Sequence, residues 1–326
     1  MIPLDRQALK RLSPKTEMSE QLIPQKSSSS DQVLGVWCYL PRSLHPFIFL
    51  ARLDRPIGWW LLVLPGWWIA AAQSSTFEYA LRLMGLFTVG AIAMRGAGCI
   101  INDLWDRRID AQVARTASRP LASGEISPRQ ALIFLSFLLT IGLIVLLQLP
   151  QRSWFVAFGS FPLIICYPLA KRITGWPQLV LGLTFSWAVL VAASVISQDW
   201  LNIPLISVYL GTVMWVTGYD TIYAIQDRDD DRQAGVKSSA LSLGRHVRKG
   251  VWIFYMAAVL FWFYGFFSML GIGPWLIGLV GASAHLVWQI SQMNVLSATV
   301  AHRLFVSNRY TGLILTFGLL ITHLGV

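Results

Sequence analysis

Two acidic runs carry the residue types best suited to chemistry in this chain. The first reads Asn102-Asp103-Leu104-Trp105-Asp106-Arg107-Arg108-Ile109-Asp110, and the second runs from Asp220 through Asp227-Arg228-Asp229-Asp230-Asp231. Both follow long apolar stretches. Carboxylates at the edge of such a stretch are costly unless something neutralises them. Asp106 and Asp110 are four residues apart, as are Asp227 and Asp231. On a helix that spacing stacks both carboxylates on one face, about 5–6 Å apart at Cβ. Mg²⁺ prefers hard oxygen ligands and keeps phosphate and water among them. Two such edges facing each other can hold Mg²⁺ around one polyanion, a diphosphate in particular. The alternative for either run alone is a solvated acidic turn paired with nearby arginines.

Cations and phenols stand beside these runs. Arg95 lies inside an apolar stretch, where a charge is a functional candidate by default. Arg95, Cys99, Asn102, Asp106 and Asp110 step by three or four, so they read as one helical stripe. Asp220, Tyr223, Asp227 and Asp231 read as the matching stripe. Tyr167-Pro168-Leu169-Ala170-Lys171-Arg172 closes another apolar stretch, and Lys237-Ser238-Ser239 follows the second run. Arg grips a planar carboxylate through two parallel hydrogen bonds, and Lys neutralises phosphate as a point charge. Ordinary loop charge explains Lys171, Arg172 and Lys237 equally well at this stage.

The elements that must position these residues are membrane spans. Of 326 residues, 55% are hydrophobic and only 13% are charged. Soluble domains carry about 25% charged residues, so the chain reads as a polytopic, all-α membrane protein. A span needs ~20 apolar residues. Helices are expected near 57–73, 80–102, 130–148, 153–170, 177–196, 203–225, 250–270, 273–290 and 309–325, about nine spans. The net charge of +10 is not a nucleic-acid signature, because its residues alternate with the spans. Arg107, Arg108, Arg115, Arg119 and Arg129 follow the second span; Lys171 and Arg172 the fourth; Arg228, Arg232, Lys237, Arg245, Arg248 and Lys249 the sixth. Arg303 reads as part of the loop after the eighth, and Arg309 as the far end of that loop. The opposite loops hold little beyond Arg82 and Arg152. The positive-inside rule then puts the N-terminus and both acidic runs in the cytoplasm, and an odd number of spans puts Val326 on the far side.

Residues 1–45 are polar, centred on Ser27-Ser28-Ser29-Ser30, and read as a disordered tail without a secretory signal. The membrane domain is expected over 46–326. Cys38, Cys99 and Cys166 read as packing residues without a disulfide, and the five histidines form no cluster. Each acidic run is followed by a basic stretch ending at Gly124 or Gly244, a faint repeat. Related half-bundles around a shared cavity and convergent loop chemistry both explain it.

These motifs resemble the UbiA superfamily of intramembrane prenyltransferases. The resemblance rests on Arg95 with Ala97-Gly98-Cys99-Ile100-Ile101-Asn102 through Asp110, on Tyr219-Asp220-Thr221 through Asp231 with Lys237-Ser238, on Arg119-Pro120-Leu121, and on Lys171-Arg172-Ile173-Thr174-Gly175-Trp176-Pro177-Gln178. It runs from about Arg52 to the C-terminus. Within the superfamily the pattern is most similar to the 4-hydroxybenzoate polyprenyltransferases. The resemblance implies about nine helices around a central cavity with cytoplasmic cap loops. It implies transfer of a polyprenyl group from polyprenyl diphosphate to the ring of 4-hydroxybenzoate, next to its hydroxyl, in ubiquinone or plastoquinone biosynthesis. It assigns Asp106, Asp110, Asp227 and Asp231 to Mg²⁺, with Asn102, Asp103 and Asp220 supporting those shells. Arg172 becomes the candidate for the benzoate carboxylate, and Lys171, Arg95 and Lys237 candidates for the diphosphate. Arg55 is placed to help with either anion, and Tyr167 and Tyr223 line the substrate site. A bacterial inner membrane of cyanobacterial type is the expected location. Homogentisate, dihydroxynaphthoate, chlorophyllide or haem are alternative acceptors. A charge-coupled transporter is the reading from another class, disfavoured because the acids sit at helix ends on one side.

Overall fold

The structure, a computed structural model, describes Trp37 and residues 39–113, 116–233, 235–294 and 297–324, apart from the side chains at 168, 169, 171, 172, 229, 230, 233 and 324. Most of the expected tail, Cys38 and Arg115 lie outside the described residues. Among those residues there are helices and no strand. In chain order they are α1 His45–Leu50, α2 Ile57–Gln73, α3 Phe77–Asp110, α4 Pro120–Ser123, α5 Pro128–Leu147, α6 Gln151–Phe158 and α7 Phe161–Ile173. There follow α8 Pro177–Ile196, α9 Ile203–Tyr223, α10 Arg228–Gln233, α11 Ser239–Leu243, α12 Val247–Leu270, α13 Trp275–Gln292 and α14 Ala298–Ile321.

Each of the nine apolar segments carries helix. By length and hydropathy, five helical stretches of the described residues can cross a membrane: α3, α5, α8, α11 continued into α12, and α14. Three boundaries differ from the sequence expectation. Helix α3 does not stop at 102 but carries the whole first acidic run. Its 34 residues span about 51 Å at 1.5 Å each, against about 30 Å of hydrocarbon, so its last turns reach past the apolar layer or the helix tilts. The fourth segment is two helices. Pro162 has no N–H to offer Phe158, and its ring crowds that carbonyl, so α6 ends at Phe158 and α7 restarts with proline in its first turn. Helix α14 begins at Ala298, capped by the Ser297 hydroxyl, which accepts from Val300 N at 3.3 Å. Arg303 and Arg309 are therefore helical rather than loop residues.

The long helices close a ring in chain order. Helix α2 packs on α3, α3 on α5, α5 on α6, α6 and α7 on α8, α8 on α9, α9 on α12, α12 on α13, α13 on α14, and α14 back on α2. Contacts of α2 with α8 and of α9 with α14 cross the ring. Lipid is as apolar as leucine, so close backbone approach and buried polar bonds hold such a ring together. Gly278 and Gly318 let α13 and α14 meet, since a Cβ on Gly318 would lie 2.5 Å from the Gly278 Cα. Trp68, Trp215 and Trp262 cluster in the centre, with ring centroids 5.0–5.8 Å apart. Trp215 donates to Asn308 Oδ1 at 2.9 Å, and Tyr255 OH donates to Gln289 Oε1 at 2.8 Å. Of the expected packing cysteines, Cys99 is buried, while Cys166 is exposed.

Candidate active site: a divided acidic edge

The first acidic run is one helix but two faces. Seven residues turn a helix about 20° short of two full turns, so Asp103 and Asp110 share a face. Arg95, Asn102 and Asp106 fall within about 40° of one another on the adjoining face at 100° per residue. The structure separates these sets. Asp103 and Asp110 are 3% and 7% exposed and engaged by arginines. Arg52 Nη2 donates to both oxygens of Asp103 at 3.0 and 2.9 Å. Arg119 Nη1 bridges Asp103 Oδ1 at 3.2 Å and Asp110 Oδ2 at 2.8 Å. Two carboxylates and two guanidiniums thus form a neutral chain. Both oxygens of Asp103 accept hydrogen bonds from arginine. Asp110 departs from the expected single row with Asp106, with Oδ2 committed to Arg119.

That chain ties the cap segment to the helix end. Thr116 Oγ1 donates to Asp110 O at 2.9 Å, and Arg107 Nε to Leu121 O at 3.2 Å. Arg52 has φ 56°, an uncommon conformation for a side-chain-bearing residue. Its bonds to Asp103 and to Phe49 O at 2.8 Å hold it there. Nearby, Arg55 is exposed and pairs with Asp54 Oδ2 at 3.4 Å. Burial raises the Asp54 carboxyl from its ordinary value, against the pull of Arg55 and Arg52.

On the other face, Asn102 is exposed and Asp106 half-buried. Arg95 lies deeper on the same face. A Cβ on Gly58 of α2 would stand 2.8 Å from Arg95 Nε, so only glycine there leaves room for the guanidinium. Arg95 is within electrostatic reach of Tyr167 on α7 and Tyr219 on α9. The Tyr219 hydroxyl is buried with no hydrogen-bond partner in the structure.

The second acidic run does not continue one helix. Helix α9 ends at Tyr223, a turn spans 224–227, and α10 begins at Arg228. The expected four-residue stripe is therefore broken between Tyr223 and Asp227. The chain nonetheless folds those residues together. A recess of about 60 Å³ is lined by Tyr167, Gln178, Asp220, Tyr223, Ala224, Asp227, Asp231, Lys237 and Ser238. Asp231 N donates to Asp227 O at 2.7 Å, closing the turn. The rest of the loop is pinned to α7 and α8. Lys237 Nζ donates to Ile173 O at 3.1 Å, Ser239 N to Gln178 Oε1 at 2.8 Å, and Ser242 Oγ to Gly175 O at 2.8 Å. Thr221 and Ser239 share a hydroxyl bond of 2.6 Å. Gln178 and Ser238 complete the wall of the recess, a position that their residue types alone do not signal. Lys171 and Arg172 sit in the last turn of α7, but their side chains, like those of Asp229 and Asp230, lie outside the described residues.

Three carboxylates of one recess are hard oxygen donors, beside an ammonium with donors to spare. Among the described residues no three acidic, His or Cys side chains close into a ready metal cage. An ion that keeps phosphate and water in its shell needs only one or two carboxylates from the protein. Tyr167 of the recess lies within electrostatic reach of Arg95 on the first run's helix.

The chain is similar to known proteins in both sequence and fold. A model of the UbiA prenyltransferase family matches residues 59–318. The chain is 42% identical to the human mitochondrial 4-hydroxybenzoate polyprenyltransferase, over 87% of this chain and 77% of that protein. It is 43% identical to the Drosophila melanogaster protein of the same name, over 86% and 72%. It is 40% identical to 4-hydroxybenzoate geranyltransferase 1 of Lithospermum erythrorhizon, over 88% and 93%. Its fold matches the apo structure of a UbiA homologue from Aeropyrum pernix K1 with a TM-score of 0.65 at 24% identity, covering 81% of this chain and 97% of that one. A homologue from Archaeoglobus fulgidus bound to GPP and Mg²⁺ matches with a TM-score of 0.59 at 17% identity, over 86% and 100%. Relatives named mitochondrial give no support to a bacterial inner membrane.

Proposed function

The chain belongs to the UbiA prenyltransferase family, and from that premise we propose that it transfers a polyprenyl group from polyprenyl diphosphate to 4-hydroxybenzoate. Relatives at 40–43% identity that carry this activity in their names support the acceptor. One observation carries the donor side: Asp220, Asp227, Asp231 and Lys237 line a single recess at the end of α9. That donor set suits a diphosphate held through Mg²⁺. The metal-bound Archaeoglobus homologue supports the same choice. Asp227, Asp231 and Asp220 would hold the ion from the recess. Asp106, Asn102 and Asp110 would serve from α3. When bound, Mg²⁺ supplies Lewis-acid stabilisation of the departing diphosphate.

In the reaction the allylic C–O bond breaks with its electron pair leaving on the diphosphate. The ring carbon beside the acceptor's hydroxyl forms the new C–C bond, and that carbon loses its proton. Lys237, Lys171 and Arg95 bind the diphosphate. Arg172 grips the benzoate carboxylate through its planar fork, with Arg55 at the rim. Tyr167 and Tyr223 wall the space between and exclude water from the allylic centre. The chain is a multi-span membrane protein, and its site faces the side into which the basic loops project. The donor's apolar tail stays in the bilayer, because each buried CH₂ contributes about 0.8 kcal/mol.

The test is transfer of radiolabelled prenyl diphosphate, in membranes with Mg²⁺, to a panel of acceptors. The expected product is prenylated 4-hydroxybenzoate. Preference for homogentisate, dihydroxynaphthoate, chlorophyllide or haem would move the chain to another branch of the family. Solute flux without diphosphate release would remove it from enzyme chemistry altogether.

A further inference from the structure

Arg309 is the twelfth of the 24 residues of α14. Helix α14 starts at the membrane face that carries the acidic runs, since Phe305 meets Tyr223 at the end of α9 with ring centroids 4.7 Å apart. No carboxylate forms an ion pair with Arg309 among the described residues. Its Nε is buried with no hydrogen-bond partner. Its Nη2 donates to Tyr310 OH at 2.6 Å, and the guanidinium lies 4.6 Å from that ring's centroid. Around them stands an aromatic shelf. His285 on α13 meets the Tyr310 ring edge-on at 6.4 Å, stacks on Trp288 at 5.2 Å, and shares a hydrogen bond of 2.7 Å with Thr311. Trp288 and Tyr310 are exposed. None of these residues lines the acidic recess.

A cation inside a membrane helix without a counter-ion is expensive, and among the described residues none is supplied. Long helical side chains point back toward the helix N-terminus, so Arg309 reaches up toward the basic face. Two further polar residues stand above it. His302 is seven residues before Arg309, and Arg303 seven before Tyr310, so each pair shares a face about 10 Å apart along the axis. Both His302 and Arg303 are exposed. Arg303 and Arg309 themselves lie about 120° apart around α14, and the contact of the Arg309 guanidinium with Tyr310 carries it toward the face that Arg303 shares, so an anion there meets two cations and a phenol.

We propose that this outer face of α13 and α14 binds the phosphate of an anionic phospholipid from the same leaflet, between Arg303 and Arg309. Basic residues between spanning helices on the positively charged side are suited to such headgroups. The site is separate from the prenyl-transfer site and does not depend on that assignment.

The experiment is thermal unfolding of the purified full chain in neutral detergent with added phosphatidylglycerol, phosphatidylcholine or geranyl diphosphate. A lipid that binds the folded state alone raises Tm. Phosphatidylglycerol is expected to raise Tm by several degrees over phosphatidylcholine in the wild type and in Arg309→Lys. Arg309→Gln is expected to lose most of that shift. Arg248→Gln, which removes an exposed charge from the first turn of α12, is expected to keep it. Equal shifts for the two lipids, or equal losses in Arg309→Gln and Arg248→Gln, would overturn the site. So would loss of the geranyl diphosphate shift with retention of the phosphatidylglycerol shift in Arg309→Gln, because the anion would then be the prenyl donor. If Arg309→Gln does not fold, Tyr310→Phe and Arg303→Gln read the same contrast, and normal shifts in both would refute it.

Discussion

Gly58→Ala separates the position of Arg95 from the stability of the fold. The added Cβ would sit 2.8 Å from Arg95 Nε, where ordinary contact begins at 3.4 Å, so the guanidinium must retreat by at least 0.6 Å. The obstacle is the far end of a flexible side chain, so the helices themselves need not move. Alanine is the better helix former, by up to about 1 kcal/mol. The expected variant therefore melts at or slightly above the wild-type temperature. Its chemistry pays instead: a 1 Å misplacement of a positioning group can cost about 10²-fold, so 0.6 Å is worth about tenfold in kcat/KM. The assay is prenyl transfer in membranes with each substrate varied in turn, beside a thermal melt of the purified protein. Gly85→Ala, with nothing within 4 Å of the new Cβ, serves as control and is expected to behave as wild type. Wild-type kinetics in Gly58→Ala would show that the placement of Arg95 does not matter. An equal loss in Gly85→Ala would show that the loss is not local.

Other outcomes follow from the same geometry. Asp227→Asn and Asp106→Asn are each expected to lower turnover at least 100-fold while the protein remains folded in membranes, and normal turnover in either would remove that residue from the diphosphate site. Arg119→Gln leaves Asp103 and Asp110 short of a counter-ion and is expected to lower Tm, by less than the ~3–5 kcal/mol that breaking a fully buried pair costs, because the Arg119 side chain is 33% exposed and Arg52 still holds Asp103; Asp103→Asn with Arg119→Gln restores neutrality and should melt above Arg119→Gln alone, whereas additive losses on melting would contradict a shared charge chain. Arg172→Ala is expected to raise KM for the aromatic acid more than for the prenyl donor, and an equal rise in both would reassign it to the diphosphate.

Some of this site was legible in the sequence and some was not. Carboxylate spacing and the alternation of basic loops with apolar stretches picked out both acidic runs and the helical spans that carry them, because charge and hydropathy are properties of residue type. The division of the first run was not visible. A step of three or four looks like one stripe, yet Asp103 and Asp110 lie on a face that meets Arg52 and Arg119, arginines 51 and 16 residues from Asp103. Only the path of the cap segment decides that. Pro162 did announce the break between α6 and α7, but the apolar run across it masked the signal. Helix α9 ends at Tyr223 because the loop beyond it is tied to Gln178 and Ile173, contacts far apart in sequence. Arg309 looked like the end of a loop because spans are read by avoiding charge, and Ser297 as N-cap was the local clue to the contrary.

The central claim is that both acidic edges hold one diphosphate through divalent ions, and counting those ions tests it most directly. Mn²⁺ replaces Mg²⁺, and its free concentration is followed by electron paramagnetic resonance with a non-reacting prenyl thiodiphosphate. Uptake of Mn²⁺ should require the thiodiphosphate, and both Asp227→Asn and Asp106→Asn should weaken it. Wild-type uptake in Asp106→Asn, with loss confined to Asp227→Asn, would mean that the two edges do not share a ligand.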